Sequence, residues 1–171
     1  GSAGGTITMS NNESRTLGGT TAMAFVGSGP RTLTVVNNRD DRVQTLPMAI
    51  GDAAGGASPT SINLNPGNDR AILALSATDN NYTGNTIITR GILRPATSSS
   101  INGAGGLLNA ATTGNIIFAA TGTNRAILQT NATVGTITRS VGYGLGQIHW
   151  EGNGGFSNGS AATQVVNLGG A

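Results

Sequence analysis

The chain has 171 residues, of which only 9% are charged, and its formal net charge is +2. Globular domains average about 25% charged residues, and disordered chains are richer in charge and poorer in β-branched residues, so neither a polyelectrolyte nor an intrinsically disordered segment fits. The basic residues are nine Arg, at 15, 31, 39, 42, 70, 90, 94, 125 and 139, with no Lys; this removes Schiff-base chemistry on a side-chain amine and lacks the clustered positive field of a nucleic-acid binder.

Polarity comes instead from 23 Thr and 18 Asn, with 28 Gly to make corners. The chain contains no Cys, which excludes a disulfide framework and a thiolate metal site. No apolar run approaches the length of about 18 residues that a membrane-spanning helix requires. Helical periodicity is absent almost throughout. Apolar runs of three to five residues predict strands at Thr6–Met9, Ala22–Val26, Thr32–Val36, Ser61–Leu64, Ala71–Leu75, Thr86–Thr89 and Ile92–Arg94. Further strands are predicted at Asn115–Ala119, Ala126–Gln129, Gly135–Thr138, Gln147–Trp150 and Gln164–Leu168. Leu33/Val35, Ile62/Leu64 and Ile116/Phe118 are spaced two apart, as one inward and one outward face demand. Turns are expected at Gly55-Gly56, Asn65-Pro66-Gly67-Asn68, Gly103-Ala104-Gly105-Gly106 and Gly152-Asn153-Gly154-Gly155. Residues 39–57, with Asp40-Asp41-Arg42 and Pro47, read as a protruding loop within a single domain spanning 1–171. An internal repeat links Asn68-Asp69-Arg70-Ala71-Ile72-Leu73 to Thr123-Asn124-Arg125-Ala126-Ile127-Leu128, 55 residues on. Thr89-Arg90 and Thr138-Arg139 follow the two copies. That spacing suits two coils of a solenoid.

The segment Tyr82-Thr83-Gly84-Asn85-Thr86-Ile87-Ile88-Thr89-Arg90-Gly91-Ile92-Leu93 joins two β-branched runs through a glycine hinge. It resembles the passenger-associated repeat of bacterial autotransporters, whose pattern runs roughly Tyr-Thr-Gly-Gly-Thr-Thr-Ile-x-x-Gly-x-Leu. Asn85 stands at the second Gly of that pattern and Ile87 at its second Thr. The run from Ser140 to Trp150, followed by Gly154-Gly155-Phe156 and Val165-Val166-Asn167-Leu168-Gly169-Gly170, is similar to strings in large autotransporter-like surface proteins. The two resemblances together cover about residues 60–170. They imply an all-β chain wound as a right-handed parallel β-helix (β-solenoid), displayed outside a bacterial cell. The rival architecture is a β-sandwich, which calls for alternating strands of similar length joined by hairpins. A solenoid core is expected to hold Leu33, Ile62, Leu64, Ile72, Ile88, Leu93, Ile116, Ile127 and Ile148.

Little in the chain points to catalysis. The single His149 cannot form a metal cluster by itself. Glu151 is expected not to orient it, on the reading that strand neighbours point to opposite faces. Polysaccharide-cleaving solenoids need carboxylates grouped on one face, whereas Glu13, Asp40, Asp41, Asp52, Asp69, Asp79 and Glu151 are scattered. Only Asp40-Asp41 are adjacent, and flanking Arg39 and Arg42 make them a self-neutralising loop. The arginines read as solvated. Gly142-Tyr143-Gly144-Leu145-Gly146 lacks the third glycine and following helix of a dinucleotide site. Asn-x-Ser/Thr sequons begin at Asn12, Asn81, Asn131 and Asn158, leaving glycosylation open. The expectation is therefore a non-enzymatic structural or adhesive protein of the bacterial surface. It has no catalytic, metal or cofactor residues, no nucleic-acid partner and no membrane-spanning segment. Surface glycans are possible partners, and a carbohydrate-binding or polysaccharide-degrading β-helix is the alternative. From the start at Gly1-Ser2-Ala3-Gly4-Gly5 without Met, a processed product or fragment is expected. The uncapped ends suggest axial stacking into filaments, or excision from a longer rod.

Overall fold

Arg31-Thr32-Leu33-Thr34-Val35-Val36-Asn37 alternates buried and half-buried residues along its whole length, as an extended backbone with one face inward must. The same two-residue period recurs along the chain and builds a fold of strands. The computed structural model describes residues 5–9, 15–17, 23–24, 29–37, 40, 42–52, 58–97, 113–131 and 133–169. No helix occurs among them.

Six strands form the first sheet: β1 (Gly5–Met9), β4 (Arg31–Asn37), β7 (Thr60–Leu64), β9 (Thr86–Ile88), β11 (Ile116–Phe118) and β13 (Ile148–Trp150). Six more form the second: β2 (Arg15–Thr16), β5 (Val43–Leu46), β8 (Ile72–Leu75), β10 (Gly91–Pro95), β12 (Ala126–Thr130) and β14 (Gly154–Asn158). A short third side pairs β3 (Met23–Ala24) with β6 (Ile50–Gly51). Every pairing between these strands is parallel. A β-sandwich, made of antiparallel hairpins, is thereby ruled out for the described residues.

From β4 onward the chain visits the first sheet, then the second, and returns to the first one strand further along. It winds as a β-helix-like stack of coils. The register partners Gly5, Leu33, Ile62, Thr86, Ile116 and Ile148 stand on successive coils, 28, 29, 24, 30 and 32 residues apart. The third side continues beyond β6 through Asn81 N–H to the Ile50 carbonyl at 3.0 Å and through the bridge between Ile137 and Val166.

Side-chain columns fill the interior between the sheets. Leu33, Ile62, Ile116 and Ile148 lie in one column and Val35, Leu64, Ile88 and Phe118 in the next, all buried. Leu73, Leu93 and Leu128 face them from the second sheet. At the last coil the packing turns aromatic: Phe118 stacks on Trp150 at 5.1 Å and meets Phe156 edge-on at 5.3 Å. The first column also contains Thr86, a buried polar residue, whose hydroxyl pairs with the Tyr82 hydroxyl at 2.8 Å.

Seven of the nine expected core residues are buried; Ile72 and Ile127 are not. They align with Val43 and Ile92 in a half-buried column on the outer face of the second sheet. In Ala71-Ile72-Leu73-Ala74-Leu75 both faces are apolar, and Leu73 and Leu75 take the inside. Residues 39–57 are not simply a loop, because β5 and β6 lie within them and pair in register with β8 and β3. Predicted strands at Gly135–Thr138 and Gln164–Leu168 reduce to the Ile137–Val166 bridge. Gly154-Gly155, read as a turn, begins β14 instead. Of Ala22–Val26, only Met23–Ala24 falls within the described residues, and Gly55-Gly56 and Gly103–Gly106 lie outside them. The internal repeat is structural: Ile72 and Ile127 both pair with Ile92, from the coils on either side of it.

Ile88 is fully buried between two coils. Ile88→Asp places a carboxylate in that dry column, and a loss of at least about 3 kcal/mol is expected. Ile72→Asp, on the outer face, is expected to lower the melting temperature far less. Thermal unfolding followed by circular dichroism compares the two.

Candidate functional site

The Tyr82–Leu93 segment is the best-defined sequence motif, and its residues have mechanical roles. A side chain at Gly84 would place its Cβ 2.4 Å from the Thr60 carbonyl oxygen. Gly91 adopts a positive φ of 84°, and its Cβ would lie 2.6 Å from Pro66 and 2.9 Å from the Ala71 carbonyl. Both glycines allow one coil to pass close over its neighbour. Gly91 also turns the chain from β9 into β10 across only Thr89 and Arg90.

Asn85 begins a side-chain ladder at the corner before the first sheet. Ser61 Oγ accepts the Asn85 N–H, Asn85 Oδ1 accepts the Asn115 N–H, and Asn115 Oδ1 accepts the Gln147 N–H, each at 3.0 Å. A polar side chain on each coil thus satisfies a backbone donor on the next. Such donors would otherwise be left unpaired where the strand pattern breaks at the corner.

Carboxylates serve the same purpose elsewhere. Asp69 Oδ1 accepts from Arg90 Nε at 2.9 Å and from the Arg125 N–H at 3.1 Å, joining three successive coils. Asp52 accepts from the backbone N–H groups of Thr60 and Thr83 at 2.7 and 3.0 Å and from the Thr83 hydroxyl at 2.7 Å. Neither clamp is legible from the chain, because their partners lie 8 to 56 residues away. Partial burial raises the Asp69 carboxyl, but the hydrogen bonds and charges of Arg90 and Arg125 outweigh it and hold the group below its ordinary range. Among the described residues no group of three or more His, Asp or Glu could hold a metal ion. Asp40 and Asp79 are exposed, and Arg39 and Asp41 lie outside the described residues, as does the sequon at Asn12.

His149 and Glu151 do come together. They are two residues apart, so they share a face of the strand, and His149 Nε2 lies 3.2 Å from Glu151 Oε1. The expectation that Glu151 could not reach His149 is corrected accordingly. His149 is buried, with the exposed Tyr143 ring stacked over it at 5.0 Å. Its Nδ1 is buried without a hydrogen-bond partner.

The arginines are not uniformly solvated either. Arg139 is completely buried, and Arg31 nearly so. Arg139 donates to the carbonyls of Gly114 at 2.8 Å and Gly146 at 3.3 Å. Desolvation lowers its pKa to about 10, against an opposing attraction from Tyr82, so it stays charged at neutral pH. This buried guanidinium anchors the end of the segment Val141-Gly142-Tyr143-Gly144-Leu145-Gly146. Gln147 holds the same segment through its Oε1, which accepts the Gly144 N–H at 2.6 Å. Val141, Tyr143 and Leu145 are thereby presented outward at 49%, 81% and 76% exposure.

Leu145 also borders an open groove of about 420 Å³, lined by Pro30, Pro59, Ser61, Thr83, Gly84, Asn85, Thr113 and Leu145. These residues come from five successive coils, so the groove runs along the stack. Sequence reading missed it because its wall is assembled from positions far apart in the chain. Comparison with protein-family models, curated proteins and solved structures gave no significant match to this chain.

The Asp69 clamp sets a pH dependence. A carboxyl whose folded pKa is lowered adds stability above its unfolded pKa of about 3.9, and this is lost as pH falls through the folded value. The stability difference between the natural chain and Asp69→Asn is expected to be constant near neutrality and to shrink below about pH 4. Paired melting curves from pH 7 to pH 2 measure it.

Proposed function

We propose that this chain is a non-catalytic right-handed parallel β-helix that serves as a structural and adhesive scaffold on the bacterial exterior. The observation that carries the reading is the commitment of polar side chains to the coil-to-coil joints. Ser61, Asn85, Asn115, Asp52 and Asp69 each satisfy a backbone donor on another coil. A groove-cutting enzyme would need free carboxylates at its cleft, whereas Asp52 and Asp69 are bound into the frame. Right-handed winding follows the strong preference of parallel crossover connections. The resemblance of Tyr82–Leu93 to autotransporter passenger repeats supports an exterior location.

Self-association along the axis belongs to the same proposal. Among the described residues β14, β1 and β2 each pair with a neighbouring strand on one edge only, whereas the outer edge of β13 is met in part by Val141, which bridges Ile148. Such edges template further strand pairing.

Two measurements on the 171-residue protein test this reading. Electron microscopy is expected to show rods or fibres, and isolated globules at every concentration would remove self-association. Reducing-end assays on polygalacturonate, alginate and neutral glucans are expected to stay at background. Sugar release that Asp52→Asn abolishes would overturn the non-catalytic assignment.

A further inference from the structure

The groove beside Leu145 has a composition that a scaffold does not require. Among the described residues its lining carries no charged side chain. At about 4.8 Å per coil, the four steps between Pro30 and Leu145 extend it over about 19 Å of the stack. Its volume of about 420 Å³ lies within the range of small-molecule sites, which combine apolar lining with a few placed polar groups.

The polar groups of that wall keep unspent hydrogen-bonding capacity. Asn85 gives Oδ1 to the ladder, and its amide nitrogen donates to no group among the described residues. Ser61 Oγ accepts from Asn85 N–H, and its own hydroxyl hydrogen is uncommitted there. Thr113 Oγ1 donates to the Thr83 carbonyl at 3.1 Å, leaving its lone pairs to accept. Asp52, which abuts the wall through Thr83, spends its carboxylate on three hydrogen bonds. Neutral donors and acceptors therefore alternate with the apolar surfaces of Pro30, Pro59 and Leu145.

Backbone at this corner is already paired. Gly84 N–H bonds the Thr60 carbonyl, Ile62 N–H the Asn85 carbonyl, Thr86 N–H the Asn115 carbonyl and Ile116 N–H the Gln147 carbonyl, at 2.8 to 3.0 Å. An extended peptide recognised by added-strand pairing would find no row of free N–H and C=O groups. Among the described lining residues an acidic polymer would find no counter-charge. A sugar ring, with hydroxyls at its rim and apolar C–H faces, matches both halves of the surface.

We infer that the groove binds a neutral glycan chain lying parallel to the coil stack, with Leu145 packing against a sugar face and Asn85, Ser61 and Thr113 meeting hydroxyls. The inference goes beyond the scaffold reading, which stands or falls by rod formation and not by binding.

Affinity electrophoresis of the intact 171-residue protein in gels containing soluble β-glucan, galactomannan or arabinoxylan tests it, with polygalacturonate as the acidic comparison. At least one neutral polymer is expected to retard the protein. Leu145→Asp, at an exposed position, is expected to weaken that retardation by at least about tenfold without changing the circular dichroism spectrum or melting temperature. Val141→Asp, on the same segment but outside the groove lining, should bind as the natural chain does. Thr113→Val, a near-isosteric change, should weaken binding too. Retardation by none of the three neutral polymers, retardation by polygalacturonate alone, or unchanged binding by Leu145→Asp would each overturn the inference.

Discussion

Everything in this fold depends on each coil returning to lie in register on the one before it. Parallel strands exchange evenly spaced hydrogen bonds with neighbours about 4.8 Å away. A coil that drifted by one residue would turn its apolar side chains outward and its hydroxyls inward. The strands are short, three residues in β9, β11 and β13, so their ladders alone give few bonds with which to fix that register. The side-chain joints at the corners supply the rest. Asn85 and Asn115 can bond the next coil's N–H only when that coil is in place, and Asp69 imposes the same condition on Arg90 and Arg125. The half-buried, solvent-accessible ion pair in that clamp contributes only about 0–1 kcal/mol. Its weight lies in the geometry it enforces.

This explains why the composition is so low in charge. A polar residue at a coil corner must satisfy a backbone group, often while half-buried, and must sit beside similar residues on the coils above and below. Stacked like charges at coil spacing would repel, whereas stacked amides and hydroxyls bond one another. Arg139 shows what a buried charge demands here: two carbonyl acceptors from separate parts of the chain and a pKa lowered by desolvation. In return it fixes the segment that carries Leu145 to the groove.

Where apolar and polar residues alternate, the architecture could be read from the chain. Leu33, Ile62, Leu64 and Ile148 belong inside because their neighbours are polar, whereas Ile116 lies in Ile116-Ile117-Phe118, an apolar run buried throughout. Ile72 and Ile127 were misplaced because their runs are apolar on both faces, and periodicity cannot phase such a run. β5 was missed because Gln44 points inward in a stretch that otherwise resembles a charged loop. β14 was missed because Gly154-Gly155 has the composition of a turn, yet a side chain at Gly154 would strike the Ala126 carbonyl at 2.6 Å and Phe118 at 2.8 Å. The groove and the aspartate clamps were illegible for a different reason. They join residues from separate coils, and coil lengths varying between 24 and 32 residues hide the alignment.

The measurement that bears most directly on the stacked-coil account is thiol cross-linking, because the natural chain contains no cysteine. Ile72 and Ile92 are register partners on the outer face of the second sheet. Neighbouring-coil Cα atoms about 4.8 Å apart fall within the range of about 4.4–6.8 Å that a disulfide spans. The double variant Ile72→Cys/Ile92→Cys is predicted to oxidise rapidly to an intramolecular disulfide, while Ile72→Cys/Leu93→Cys, one residue out of register and on opposite faces, is predicted to remain reduced. Cross-linking of the second pair in preference to the first would contradict the account.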